Sequence, residues 1–339
     1  MSEKVCIAVT GAGGGVGQSI IKALQWAEYD VVALDSDRLA TGLYAADRSY
    51  LIPRRSDREF VDKVLEICKA ENCRLLFPGL DTELGVLARA STRFISAGVI
   101  PIVSSPRVVD ISDNKLLTYR TLRDYGVSVP KTVDMSLWES GDGDPLPYPF
   151  VLKKRQGGSR SRDVHIIHAR RDLDKFVEQG NDASMFIAQE HIDGYEYTCG
   201  SVTLNRQCIG VIVMRRTLRD GDTYKCFTVR DEIIEGEVQT LMNALEPFGP
   251  CNAQLRVRDG RPYVFEINAR CSGTTAARAL CGFNEPAMVA DYVCHGAMPS
   301  FSIKEQALLR YWNELVVSND SIDALTHNGS LVASKVRRM

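Results

Sequence analysis

The sequence contains no Cys-x-x-Cys pair and no cysteine–histidine cluster at zinc-ligand spacing, although it carries ten cysteines and five histidines. Thiols scattered in this way, several at apolar strand positions such as Cys6 and Cys251, read as buried free cysteines of a reducing cytoplasm. His165 and His168 are three apart in a strand, which puts them on opposite faces and makes no ligand pair. No apolar run is long enough to span a bilayer. The opening run of residues 5–9 is too short for a signal-peptide core and is broken by glycines, so a cytoplasmic protein with no membrane partner is expected. One sign of charge does not dominate. The net charge is −2 with signs interspersed, and this removes the polycationic field a nucleic-acid binder uses. No Gly-Lys dipeptide occurs, hence no Walker loop.

What is present is the composition of a soluble globular protein, 45% hydrophobic and 25% charged over 339 residues, with room for two or three domains. Residues 5–9 read as a buried strand and residues 10–17 as a glycine-rich turn. A helix through residues 19–24 and a strand at 31–35 ending on Asp35 follow. This β-α-β opening fits a Rossmann-like domain and invites a nicotinamide reading. The Tyr-x-x-x-Lys pair of short-chain dehydrogenases is absent, however, and packing or another ligand accounts better for the glycines. The β/α alternation continues with a helix at 58–70, a strand at 74–77, a helix at 83–96 and a short strand at 100–103. Residues 78–83 leave the carboxyl end of their strand, where open α/β sheets bind ligands. There Asp81 either caps the helix behind it or meets an acceptor, with capping favoured.

A single helix is expected over residues 110–125, then an extended segment at 127–132 and a broken loop at 139–149. A strand at 150–153 runs into the basic, glycine-tipped turn of residues 154–162 and returns at 164–167. Such a hairpin can close over polyphosphate with backbone N–H groups and side-chain charge. A capped helix begins near Asp172, strands follow at 185–192, 195–199, 210–214 and 224–228, and then a helix at 232–245. Further helices open at 273–278 and span 286–295. The last forty residues hold one strand-like run, 309–317, and a polar tail.

Residues 251–257 and 263–270 form an amphipathic pair around Asp259-Gly260, a hairpin signal. On one side Asn252, Gln254 and Arg256 alternate with an apolar row. On the other, Glu266, Asn268 and Arg270 share a face with Val264, opposite Tyr263, Phe265, Ile267 and Ala269. A carboxylate and amide oxygens in a row suit a hard cation such as Mg²⁺, and a neighbouring guanidinium suits a phosphoryl or carboxylate group. A solvated polar face is the alternative. A three-residue loop, Arg258-Asp259-Gly260, is expected, because it would pair Asn252 with Glu266 and bring the polar rows together.

Taken in order, these parts resemble an ATP-grasp enzyme, and within that superfamily an ATP-binding half of the carbamoyl-phosphate synthase large subunit. The resemblance covers nearly the whole chain and is strongest from Lys115 to Arg278. It implies an α/β chain with a Rossmann-like pre-ATP domain (1–110), a linker helix and lid subdomain (111–192), and a C-terminal subdomain with the metal site (193–339), the two subdomains being α+β and enclosing the nucleotide. By resemblance, Lys115 and Lys153 reach the nucleotide phosphates and Gly157 and Gly158 cover them. Glu190 and Ile192 form the adenine hinge, and Glu196 meets the ribose. Gln254, Glu266 and Asn268 hold Mg²⁺ or Mn²⁺, and Arg270 follows them as a catalytic arginine beside Lys153. Asp81, Lys225 and Arg278 are weaker candidates for substrate contact.

Two departures stand out. Gln254 replaces an acidic ligand that many members carry, and Gly273 stands where the synthase has a second arginine, which argues against bicarbonate as acceptor. The implied activity is ATP-dependent ligation of a small carboxylate to an amine through an acyl phosphate, with ADP and phosphate released. A small-molecule kinase on the same fold and an ATP-binding regulatory protein are the alternatives. A homodimer is compatible with the resemblance.

Overall fold

The computed structural model describes residues 4–139, 142–157, 163–311 and 313–332. Gly158 lies outside the described residues. The fold is α/β, built on three sheets. Short apolar runs at the start of the chain form β1 (Cys6–Val9), β2 (Asp30–Asp35), β3 (Arg48–Leu51), β4 (Leu75–Phe77) and β5 (Ile100–Pro101). They alternate with α1 (Gly15–Trp26), α2 (Thr41–Ala45), α3 (Phe60–Ala70) and α4 (Asp81–Ser96). These five strands pair in parallel in the order β3-β2-β1-β4-β5. Helices on the sheet's faces bury side chains such as Ile20, Leu24, Phe60, Leu87 and Phe94 against it, as near-continuous apolar strands require.

The glycine-rich turn packs too closely for side chains. A Cβ on Gly17 would lie 2.2 Å from the Gly11 carbonyl oxygen, and one on Gly79 2.2 Å from that of Thr10. Asp35 turns back onto this loop and accepts from the Gly13 amide at 2.7 Å and from the Asp37 amide at 2.9 Å.

The expected helix over 110–125 is two helices, α5 (Pro106–Asp113) and α6 (Lys115–Asp124). Asn114 breaks them. Its backbone is extended at φ −104°, and its side chain accepts from the amides of Leu116 and Leu117, capping α6. Lys115 thereby becomes the first residue of a helix, with its amide bonded to the Arg155 carbonyl at 2.9 Å.

The middle sheet holds β6 (Thr132–Asp134), β7 (Phe150–Lys154), β8 (Val164–Ile167) and β9 (Phe186–Glu190), all antiparallel in the order β6-β9-β7-β8. Helix α7 (Arg170–Glu178) seals it with Leu173 and Phe176. The large sheet comprises β10 (Glu196–Leu204), β11 (Gln207–Arg219), β12 (Asp222–Val229), β13 (Gly249–Arg258), β14 (Arg261–Asn268) and β15 (Ala307–Leu309), in the order β14-β13-β10-β11-β12-β15. Helix α8 (Glu232–Leu245) lays Val238, Leu241 and Leu245 on one face of it, against Cys199, Cys251, Leu255 and Ile267. Helices α9 (Thr275–Leu280) and α10 (Glu285–His295) follow β14.

Three hairpins of the large sheet share one device. Each turns on two residues with positive φ: Asn205-Arg206 (49°, 65°), Asp220-Gly221 (53°, 79°) and Asp259-Gly260 (52°, 74°). Each then shifts register by a bulge, between Val202 and Thr203, Thr217 and Leu218, and Gln254 and Leu255.

The last hairpin corrects the expected three-residue loop. Arg258 pairs with Arg261 across a two-residue turn, and that register alone would set Gln254 against Phe265. The bulge inserts Phe265, so that Gln254 opposes Glu266 and Asn252 opposes Asn268. The polar rows do meet, through the bulge. The same insertion swaps the faces assigned to the turn-proximal residues. Val264 is buried in the core with Ile267 and Ala269, while Phe265 joins Glu266 at a cavity wall. Tyr263 lies beneath the guanidinium groups of Arg258 and Arg261, at 5.0 and 5.6 Å.

The end of the chain also departs from expectation. Among the described residues of the run 309–317 only Leu309 lies in a strand, as the last residue of β15, which pairs with β12. The expected polar tail contains α11 (Asn319–Asn328) and β16 (Ser330–Val332), and β16 pairs antiparallel with β3 to complete the first sheet. Helix α11 is capped by Ser318 and anchored by the fully buried Leu325. No helix among the described residues is long and apolar enough to cross a membrane. Nine of the ten cysteines are buried, and all are free thiols.

Candidate functional site

Two cavities meet at the polar face of the β13–β14 hairpin. The narrower, about 260 Å³, lies between the middle and large sheets, with Pro130, Val151, Ile166, Ile192 and Leu218 as apolar wall. The wider, about 820 Å³, opens toward the first sheet and is bounded by Gly14, Gly79, Asp81, Arg89, Gly273 and Arg310. Lys115, Gly157, Arg216, Gln254 and Glu266 line both.

Lys153 projects from β7 into the narrow cavity. Its ammonium donates to Gln189 Oε1 at 2.8 Å and sits 4.4 Å from the centre of the Phe265 ring. Burial pushes its pKa down to about 8; Lys115 adds to the depression and Glu266 opposes it. Lys115 donates to the Gly157 carbonyl at 3.0 Å, tying the start of α6 to the segment after β7. Glu190, at the end of β9, accepts from Arg258 at 2.8 Å and from the Lys131 amide at 3.2 Å. The buried Ile192 presents its carbonyl to Arg256 at 3.2 Å.

Glu196 is held between two guanidinium groups. Arg216 donates to Oε1 at 3.0 and 2.7 Å, and Arg256 to Oε2 at 3.3 and 3.0 Å. Burial pushes this carboxyl up, but the two arginines more than offset it and hold the group below the usual carboxylate range.

At the junction, Glu266 Oε1 accepts from Asn268 Nδ2 at 3.1 Å and lies 3.5 Å from Gln254 Nε2. Its Oε2 has no hydrogen bond among the described residues. Gln254 Oε1 accepts from Arg216 at 2.8 Å, and Asn268 Oδ1 accepts from Arg270 at 2.9 Å. Arg270 also donates to Asp81 Oδ2 at 2.6 Å and to the Cys271 carbonyl at 2.8 Å. Its Nε is buried without a partner among the described residues. Burial opposes charge on Arg270, yet Asp81 and Glu266 more than restore it. Among the described residues no three His, Cys, Asp or Glu side chains cluster as a metal site. The donor set is one free carboxylate oxygen beside amide oxygens, which fits a hard cation that takes most of its shell from phosphate and water.

The structure separates the weaker candidates. Asp81 makes no capping bond, since Leu80 is the N-cap of α4, and its carboxylate goes to Arg270. Arg278 lines neither cavity. It is fully buried beneath the hairpin in an ion pair with Glu285 at 2.7 Å and also bonds Thr198. A Cβ on Gly200 would fall 2.3 Å from Glu285 and 2.5 Å from Arg278, so β10 admits the pair only with glycine there. Lys225 is exposed beside the Tyr224 ring and also lines neither cavity.

Sequence patterning does not assign Arg216, Arg258 or Gln189 to the site or place Phe265 there, and it gives Arg256 only as part of a polar row. The signal for Arg216 is its position directly opposite Glu196. Reading that pair requires the bulge at Val202, which no residue type announces.

Residues 112–274 match the family described as ATP-grasp domain, and residues 7–102 match PylC-like, N-terminal domain. The large chain of carbamoyl phosphate synthase from Thermoanaerobacter is 24% identical over 288 residues, covering 76% of this chain. The chain spans only 26% of that protein's length. N5-carboxyaminoimidazole synthetase from Staphylococcus aureus, solved with ADP, superposes with a TM-score of 0.70 at 17% identity, covering 98% of this chain and 95% of its own. L-amino acid ligase from Bacillus licheniformis superposes with a TM-score of 0.68 at 18% identity, covering 87% of this chain and 76% of its own.

Proposed function

An ATP-grasp domain spans residues 112–274, and from that premise we propose that this chain is an ATP-dependent ligase that joins a small carboxylate to an amine through an acyl phosphate. The observation that carries the reading is the meeting of the two cavities on Glu266, Gln254, Lys115 and Arg216. The narrow cavity offers an apolar slot for a planar base and ends at cations suited to phosphates. The wide one offers the opposite side of the same polar row to an acceptor.

In this reading the base lies against Val151, Ile192 and Leu218, and Lys115 and Lys153 contact the phosphates beside Gly157. Lys153 is desolvated, so it gains a full charge partner when a phosphate arrives. Arg270 turns from Asp81 toward the transferring phosphoryl group and afterwards steadies the tetrahedral intermediate as the amine attacks. Glu266 with Asn268 and Gln254 would hold Mg²⁺ or Mn²⁺, which supplies positive charge against the polyphosphate during transfer. Enclosing the junction has a chemical purpose, because an acyl phosphate exposed to water hydrolyses before an amine can capture it. The likeness to an L-amino acid ligase favours amino acids among the compounds to test.

The test is ADP release over pooled amino acids and small carboxylates, with Glu266→Gln as the control and the product identified by mass. Amide formation that depends on Glu266 supports ligation. A stable phosphate ester would decide for phosphoryl transfer alone, and ADP release unchanged in Glu266→Gln would remove the assigned site.

A further inference from the structure

The wide cavity opens where the first sheet reverses its strand order. In the order β3-β2-β1-β4-β5 the chain steps outward one way from β1 and the other way from β4, and the crevice between the carboxyl ends of those two strands is where such a sheet receives a ligand. Gly14 and Gly15 after β1, and Gly79 and Asp81 after β4, line the cavity there. Neither α1 nor α4 has a side-chain cap at its start. Both helices therefore bring unspent amides and the positive end of their dipoles to this crevice.

Six cationic side chains line the same cavity, and four of them are engaged. Lys115 donates to the Gly157 carbonyl, Arg216 to Glu196, Arg270 to Asp81 and Arg310 to the Gly273 carbonyl. Arg55, in the loop after β3, and Arg89, on α4, have no hydrogen bond or ion pair among the described residues. Asp110 and Asp113 of α5 also line the cavity, and neither pairs with these two arginines.

Arg89 is placed by its helix. Asp81, Gly85 and Arg89 are spaced by four and share the cavity face of α4. The Arg89 side chain folds back toward the start of the helix, as helical side chains do. A Cβ built on Gly85 would lie 3.5 Å from both of its terminal nitrogens, and the three atoms nearest that Cβ all belong to Arg89. Glycine weakens a helix interior, and here it leaves a bare turn over which the guanidinium lies. That turn is about 5 Å along α4 from Asp81, the partner of Arg270. An unpaired guanidinium fork beside two uncapped helix starts suits a bidentate anion.

We propose that a substrate of the wide cavity carries an anionic group besides the one that reacts, a carboxylate or a phosphate monoester, and that Arg89, with Arg55, holds it at the β1–β4 crevice. This rests on the ligase reading above and adds a substrate class to it. Gripping the far end of the substrate one helical turn from Arg270 also orients the reacting end.

The experiment measures ADP release by the full chain with ATP and Mg²⁺ over matched pairs. Each amine or acid with a further free carboxylate is paired with the same compound bearing a primary amide there, and each phosphate monoester with its alcohol. The charged member should have a KM about thirtyfold below that of its neutral twin, and the pair that shows this names the anion. Arg89→Met should raise the KM of the charged member by about the same factor with kcat within about threefold, and should leave the neutral twin and the Kd of a nonhydrolysable ATP analogue unmoved. Equal KM values within every pair, a charged member's KM unchanged in Arg89→Met, or an equal loss for both members would each overturn the proposal. The comparison in the unmutated chain stands even where the variant fails to fold. Absence of ADP release with every pair would instead overturn the ligase reading itself.

Discussion

The glycine-rich loop after β1 and the β13–β14 hairpin hold similar ingredients, and the structure spends them in opposite ways. Each sets a carboxylate near hydrogen-bonding amides at the end of a strand. At the loop, both Asp35 oxygens accept from backbone amides. Beneath it, Glu83 accepts from Thr10 at 2.6 Å, and burial pushes its carboxyl up to about 7 despite that bond. At the hairpin, Glu266 keeps an oxygen free of hydrogen bonds among the described residues and faces two cavities. A motif thus marks where polar groups gather, but their unspent valence marks where a ligand is held.

The largest expected effect tests the free oxygen. Glu266→Gln should lower nucleotide-dependent turnover by about 10³-fold, roughly 4 kcal/mol, in the ADP-release assay. Turnover within a few-fold of the unmutated chain would erase the contrast. Next comes the foundation of the hairpin. Arg278→Met leaves Glu285 buried and unpaired and should cost about 3 kcal/mol in urea unfolding. Unchanged stability with a raised KM for one substrate would instead make Arg278 a ligand residue.

Third is Lys153. Burial holds its pKa at about 8, so the ammonium is present below that pH and lost above it. The Kd of an ATP analogue should rise about tenfold from pH 7 to pH 9, and Lys153→Met should flatten the profile. A flat profile in the unmutated chain would show that Lys153 does not meet phosphate. The smallest effect is at the loop, where Asp35→Asn should cost about 1 kcal/mol of stability and leave the analogue's Kd within about twofold. A large loss of nucleotide affinity there would reverse the contrast between the two regions.

Most of the chain's helices and strands were legible in sequence, because their apolar periods are strong. α8 spans the same residues in both readings. What stayed hidden was register. The Asp259-Gly260 turn was visible, but the bulge at Phe265 was not, and one inserted residue decides which side chains share the cavity. Arg216 and Arg256 remained unassigned for the same reason, since their roles come from cross-strand pairing with Glu196 rather than from neighbours in the chain. The break at Asn114 was missed because asparagine is tolerated within a helical pattern, whereas here its side chain starts a new helix. The closing strand β16 is only three residues long, too short for periodicity to declare it.

That strand has a consequence for biogenesis. β3 is made within the first fifty-one residues, yet its outer partner is not translated until residues 330–332. Until that segment is made, the nascent sheet therefore presents an open edge to neighbouring chains. The arrival of β16, rather than completion of the opening unit, is the event that closes that edge.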